Sequence, residues 1–280
     1  MFYPNLYFEN TFNSSNFAFN NPSMALSGGN LGSYCTVYGN LNIGTTGTGT
    51  VTVYNNNIHN QPMLVNGNIT VETGSTLTTA FCSACGTPDL SNGNGTGFEV
   101  KGNVTINGSL DINNSNVTPA GIATNTGILK FSGTGTQIVS GSGSSVDLWN
   151  IELNKPSQSL VSLNRNISVV NNLNFNSGGI VKTNSDTITV TNGNSATAIT
   201  GFETPFTASS GSPSYSNDKY VWGNLERTIN TNSIYNFPIG DDPTLEGYNP
   251  IRFDRKSGTG NATAQFIPVT GGAGTCVIGP

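Results

Sequence analysis

Charge is what this sequence has least of: Asp, Glu, Lys and Arg make up 9% of its 280 residues, against roughly 25% in an average soluble chain. Ten Lys and Arg against fifteen acids leave a net charge of −5. So few cations cannot line a groove for a phosphate backbone, and nucleic acid is not expected as a partner. Low charge also argues against disorder, which needs charge to stay solvated. Long apolar runs are missing, so no segment is expected to span a membrane as a helix. A single histidine, His59, leaves no Ser–His–acid or Cys–His pairing in sight for nucleophilic catalysis. No segment carries a period of 3.6, so helices are not expected. The start, Met1 to Phe12, has neither the basic n-region nor the aliphatic h-region of a signal peptide, so a secreted form is expected to be a processed one.

Cysteine is scarce but even in number: Cys35, Cys82, Cys85 and Cys276. Disulfides fit such a polar, low-lysine chain, and three pairings are open. The Cys82–Cys85 spacing also suits a redox pair or half of a zinc site. A redox pair normally opens a helix, and zinc needs two more ligands.

What fills the space left by charge is asparagine, glycine, serine and threonine. Asparagine outnumbers even the 35 glycines. The first three residue types form turns, while threonine favours strands. One phrase recurs: Val37-Tyr38-Gly39-Asn40-Leu41-Asn42-Ile43, then Val65-Asn66-Gly67-Asn68-Ile69-Thr70-Val71, then Val100-Lys101-Gly102-Asn103-Val104-Thr105-Ile106. Its Asn-apolar-x-apolar core returns at Asn150, Asn166 and Asn172. The apolar residues alternate, which is a strand with one buried face, and the Gly-Asn pair before them tolerates positive φ at a turn. A single coil of this kind buries too little apolar surface to offset the entropy of ordering it, so coils must stack. We therefore expect an all-β fold, a parallel β-helix or β-solenoid of stacked short-strand coils followed by a small, sandwich-like C-terminal β domain. Successive β-sandwich domains are the alternative. Asn40, Asn68, Asn103, Asn150, Asn166 and Asn172 are expected to line corners as a side-chain amide ladder.

The ends differ in texture. Residues 1–35, rich in Phe and Tyr, read as an aromatic cap over the first coil or as a contact surface for a partner or glycan. Residues 36–212 are expected to form the solenoid, with the stretch from Cys82 to Gly97 as a protruding loop. Residues 213–280 are expected to form the C-terminal β domain, and its strand texture at Cys276–Gly279 suggests that it continues further.

Three elements, Val221-Trp222-Gly223-Asn224-Leu225-Glu226-Arg227, Tyr235-Asn236-Phe237-Pro238-Ile239-Gly240 and Tyr248-Asn249-Pro250, follow the Gly-Asn coils. Together they resemble the adhesin-like, gliding-motility-associated surface proteins of Bacteroidota exported by the type IX secretion system. The resemblance covers roughly residues 36–266. It implies export, display at the cell surface and contact with outer-membrane secretion machinery, but names no ligand. Asp186-Thr187-Ile188 also resembles the Asp-Thr-aliphatic O-glycosylation site of that phylum, with Thr187 as acceptor.

Catalytic β-helices need clustered acids. Here Glu72, Glu99, Asp111, Asp147, Glu152 and Asp186 stand singly, as Asp111 does between Leu110 and Ile112, and read as solvated strand faces. The one acidic cluster, Asp241, Asp242 and Glu246, has oxygen ligands at a spacing that could hold Ca²⁺, although a plain surface loop is the better account of it. No other cofactor is expected. Gly44 to Gly49 lacks the lysine and helix of a phosphate loop. The sequence thus points to an extracellular or cell-surface structural, adhesin-like protein without catalysis, its partners being glycans or other surface proteins. A glycan-active or carbohydrate-binding β-helix is the alternative.

Overall fold

Short alternating segments joined by Gly-Asn turns can satisfy their backbone groups only against neighbouring segments. The computed structural model of the protein describes residues 2–8, 15–19, 36–44, 51–55, 62–79, 97–112, 127–202, 218–244, 247–267 and 275–279. It is all-β, and no helix occurs among these residues. The chain divides into two compact units, residues 1–132 with 140–150, and residues 133–139 with 151–280.

In the first unit each coil contributes three short strands, and each strand pairs in parallel with its counterpart in the next coil. The first coil comprises Phe2–Tyr3, Leu6–Phe8 and Ser15–Phe19; the second, Thr36–Val37, Leu41–Ile43 and Val51–Asn55. Met63–Val65, Ile69–Val71 and Thr76–Thr78 form the third, and Gly97–Val100, Val104–Ile106 and Ser109–Ile112 the fourth. The register holds from coil to coil: Leu6 faces Leu41, Leu41 faces Ile69 and Ile69 faces Val104. In-register pairing with period-two alternation keeps these apolar residues on one side, so Leu41, Ile69 and Val104 stack in one buried column and Ile43, Val71 and Ile106 in another. A one-residue slip would turn each column out to water.

Residues 2–8 and 15–19, part of the stretch read as an aromatic cap, form a coil with the same register as the others. The remainder of 1–35, and the expected loop up to Thr96, lie outside the described residues.

The second unit carries longer strands. Gln137–Ser140 pairs in parallel with Leu160–Leu163, which pairs with Ile180–Val190. Ile167–Gly178 also lies parallel to Ile180–Val190, with Ile167 facing Ile188. Between Lys182 and Thr187 the register shifts, and Asn184, at φ 54°, anchors the irregular turn by donating from Nδ2 to Leu163 O at 2.9 Å. The boundary expected at residue 212 falls within 203–217, outside the described residues. Beyond it, Val221–Ile229 still pairs in parallel with Ile180–Val190. Direction then reverses: Val221–Ile229 pairs antiparallel with Gly260–Ile267, which pairs antiparallel with Thr275–Gly279. A separate two-stranded antiparallel sheet joins Ile234–Phe237 to Ile251–Asp254.

Glycine is required where coils meet most closely. Gly97 sits at φ +107°, and a Cβ there would meet the backbone oxygen of Ile128 in the next coil. Gly97→Ala should therefore cost more than about 2 kcal/mol, whereas Gly135→Ala, with nothing within 4 Å of its Cβ position, should stay within about 0.5 kcal/mol. Urea unfolding midpoints of the two variants check the contrast.

Candidate functional site

The recurring asparagines of the first unit meet at one corner. The backbone N–H of Asn68 donates to Asn40 Oδ1 at 2.9 Å, and that of Asn103 donates to Asn68 Oδ1 at 2.7 Å. One coil earlier, the N–H of Asn40 donates to Asn5 Oδ1 at 2.9 Å. Each Asn carbonyl in turn accepts the N–H of the residue after the preceding Asn: Leu6 to Asn40, Leu41 to Asn68 and Ile69 to Asn103, all at 2.9 Å. Every step of the column is thus a reciprocal pair, one bond to a side chain and one to the backbone. The donor is a backbone N–H, so the side-chain atom facing it must be oxygen, which fixes each amide orientation. The side-chain amides act here through their oxygens on backbone N–H groups, because a corner turn leaves its own N–H without a strand partner, and the short reach satisfies it. The glycine before each Asn allows the close approach: a Cβ on Gly67 or Gly102 would lie 2.5 Å from the carbonyl oxygen of the preceding coil's glycine.

Asn166 makes the same kind of bond in the second unit, where its Oδ1 accepts the N–H of Thr187 at 2.8 Å. Asn150 and Asn172 do not. Both lie inside long strands, Ser145–Asn154 and Ile167–Gly178. Asn150 donates from Nδ2 to Gly127 O at 3.2 Å, and Asn172 donates from Nδ2 to Thr197 O at 2.6 Å. In the first unit the corner residues follow Gly39, Gly67 and Gly102, whereas Arg165 precedes Asn166, and Trp149 and Asn171 precede the mid-strand ones, so glycine marks only the first unit's corners. Asn5 escaped the repeat because Pro4 stands in the glycine position.

The acids are tied to neighbouring coils. Glu99 faces Lys130 across one register step and pairs with it at 3.3 Å. Glu72 accepts from Asn107 Nδ2 at 3.3 Å and Asp111 from Thr78 Oγ1 at 3.4 Å. Glu152 accepts from Asn174 and Asn176, and Glu226 from Asn261 and Thr263. Asp111 and Asp147 are directly in register on adjacent strands.

At the Ca²⁺ candidate, Asp242 Oδ1 accepts both the N–H and the hydroxyl of Thr244, at 2.9 and 2.7 Å. The Thr244 hydroxyl, and then its amide, hold this carboxyl below its ordinary value. Asp241 is buried, and its carbonyl accepts the Tyr220 hydroxyl at 2.7 Å. Glu246 lies outside the described residues, among which no three metal-capable side chains come together. Cys35, Cys82 and Cys85 also lie outside them. The backbone of Cys276 is in the strand Thr275–Gly279, opposite Phe266. Thr187 is half-buried within Ile180–Val190 and sits opposite Asn224.

Sequence reasoning overlooked two buried cations in the second unit. Arg227, fully buried, donates to Asn236 O at 2.8 Å and Asn194 O at 3.1 Å, with its guanidinium 4.9 Å from the centre of the Tyr235 ring. Burial pushes it down to about 10. Lys155, 2% exposed, donates from Nζ to Gly133 O, Gly135 O and Gln137 Oε1. Burial pushes it down to about 8. A lone lysine before a proline in a low-charge chain carries no pattern that would reveal this.

No protein-family model, no curated protein and no solved structure matches this chain.

Asn68→Ala removes an acceptor and orphans the Asn103 N–H, so it should cost about 1–3 kcal/mol in denaturant unfolding. Asn66→Ala, one residue before Gly67, should cost far less. For Lys155, the folded value lies below the unfolded one of 10.5, so unfolding takes up a proton between the two. Stability should then rise as pH climbs from about 8 towards 10.5. The difference in melting temperature between wild type and Lys155→Met across that range measures it.

Proposed function

We propose that this chain is a non-catalytic structural protein of the extracellular or cell-surface kind, adhesin-like, displayed as a β-solenoid. The observation that carries the reading is the use made of its polar side chains. Glu72, Glu99, Asp111, Glu152 and Glu226 are bonded to the adjacent strand, and the corner asparagines are bonded to the adjacent coil. Side chains spent on holding coils together build a scaffold, and a stack of this type extends surface at little cost in new sequence. Export by the type IX route, contact with outer-membrane surface machinery and glycosylation at Thr187 rest on the resemblance of Val221–Arg227, Tyr235–Gly240 and Tyr248–Pro250 alone. Glycans and other surface proteins are the partners such a scaffold would meet.

Carbohydrate recognition or processing is the second reading. Tyr7 and Tyr38, each 57% exposed, offer aromatic contact area of the sort sugars stack on. Asp111 and Asp147 stand one strand spacing apart, about 4.8 Å, in a register that would suit paired carboxylates.

The scaffold reading predicts protease-accessible protein on intact cells and reduced attachment after gene deletion. It also predicts no cleavage product from a panel of acidic and neutral polysaccharides. Retention inside the cell with unchanged attachment would contradict it, as would cleavage that disappears in a folded Asp111→Asn, Asp147→Asn double variant.

A further inference from the structure

A buried ammonium normally has a carboxylate beside it. Lys155 has neutral oxygens instead. Its Nζ lies 2.7 Å from Gly133 O, 2.7 Å from Gln137 Oε1 and 3.0 Å from Gly135 O. An ammonium has three N–H donors, and each finds one acceptor. Gln137, 1% exposed, also takes the N–H of Gly133 on the same oxygen at 2.9 Å, which aims that oxygen inward. The lysine stem passes the place where Gly179, at φ +120°, lacks a side chain: a Cβ there would lie 3.2 Å from Lys155 Cβ and Cδ. The corner is therefore shaped on one side by carbonyls turned towards a single point and on the other by a channel for the stem.

Such an oxygen set belongs to a particular class of ion. Backbone carbonyls without carboxylates replace the hydration shell of weakly hydrated monovalent cations such as potassium. Calcium takes more oxygens, usually with carboxylates, and magnesium gives up its water reluctantly. We propose that the corner Gly133-Thr134-Gly135-Thr136-Gln137 is a monovalent-cation site that the chain fills with its own tethered ε-ammonium. The tether has a use in the fold. Residues 133–139 belong to the second unit, although the segments flanking them, up to Ser132 and from Ser140 to Asn150, belong to the first. Inside the second unit, Lys155 and the bond from Ser159 Oγ to Thr134 O at 3.0 Å fasten this corner to the segment before Leu160–Leu163, beside the strand pairing that begins at Gln137. The cation site holds in place a segment that the chain enters and leaves again. This inference is independent of the scaffold reading, since it concerns an ion site and not a surface.

Emptying the site should let a free ion of the right class take the place of the ammonium. Lys155→Ala at neutral pH, in equal concentrations of ammonium, potassium, sodium or tetramethylammonium chloride, is the experiment. The variant should melt roughly 5–10 °C below wild type in tetramethylammonium. Ammonium or potassium should restore at least half of that loss, sodium less, and the wild type should respond equally to all four salts. One melting temperature for the variant in every salt overturns the proposal. If Lys155→Ala does not fold, the wild type decides through its lysine ¹⁵N side-chain spectrum. A slowly exchanging ammonium resonance that Gln137→Leu abolishes supports the caged ion; only fast-exchanging lysine signals overturn it.

Discussion

The hydrogen bond from one corner N–H to the asparagine oxygen of the preceding coil is the contact on which the first unit depends. Strands of three residues make few ladder bonds, and a turn between them interrupts the ladder. The reciprocal Asn pairs carry the ladder through that interruption, from Asn5 to Asn40, Asn68 and Asn103. Because the bond forms only when asparagines coincide, it also fixes register. Coils separated by 35, 28 and 35 residues in sequence are thereby brought into line, and insertions between them are left to the other turns. Register in turn decides burial, since each apolar column depends on every coil showing the same face.

Low charge follows from the same constraint. In a parallel stack every outward side chain has its counterpart a strand spacing away, so like charges repeated at one position would repel along the column. Asn, Thr and Ser avoid that cost and bond to one another. Glu99 meets its complement in Lys130 and Glu152 meets the amide of Asn174, while Asp111 and Asp147 are an in-register exception. The second unit takes a different course. Its long strands need fewer corner devices, and its interior accepts two cations, Lys155 and Arg227, which donate to carbonyl oxygens, with the Arg227 guanidinium also beside an aromatic ring.

The stack itself was legible in the sequence because its two causes are local. Alternation marked Leu41–Ile43, Ile69–Val71 and Val104–Ile106 as strands, and the preceding Gly-Asn marked their turns. Asn150 and Asn172 look alike in sequence, as does Asn166, which lacks the glycine yet still accepts a backbone N–H; Asn150 and Asn172 instead fall within continuous strands. Asn5 was hidden by a substitution, Pro4 for glycine, which keeps the turn but breaks the visible phrase. The parallel pairing of Val221–Ile229 was not legible, since alternation reports a strand and says nothing of its neighbour. The cage around Lys155 was invisible for a similar reason: its ligands are two backbone carbonyls and one glutamine, and backbone groups leave no mark in composition. Function was least legible, because among the described residues the acids and asparagines named above bond to one another's strands and so point to no ligand.

Residue-resolved amide hydrogen exchange tests the corner bond most directly. Replacing Asn40 by alanine should accelerate exchange of the Asn68 N–H while leaving those of Val71 and Ile106 protected, because only the corner donor loses its acceptor. Unchanged protection at Asn68 would contradict the account, since the amide would then owe its protection to something other than the asparagine of the coil before it.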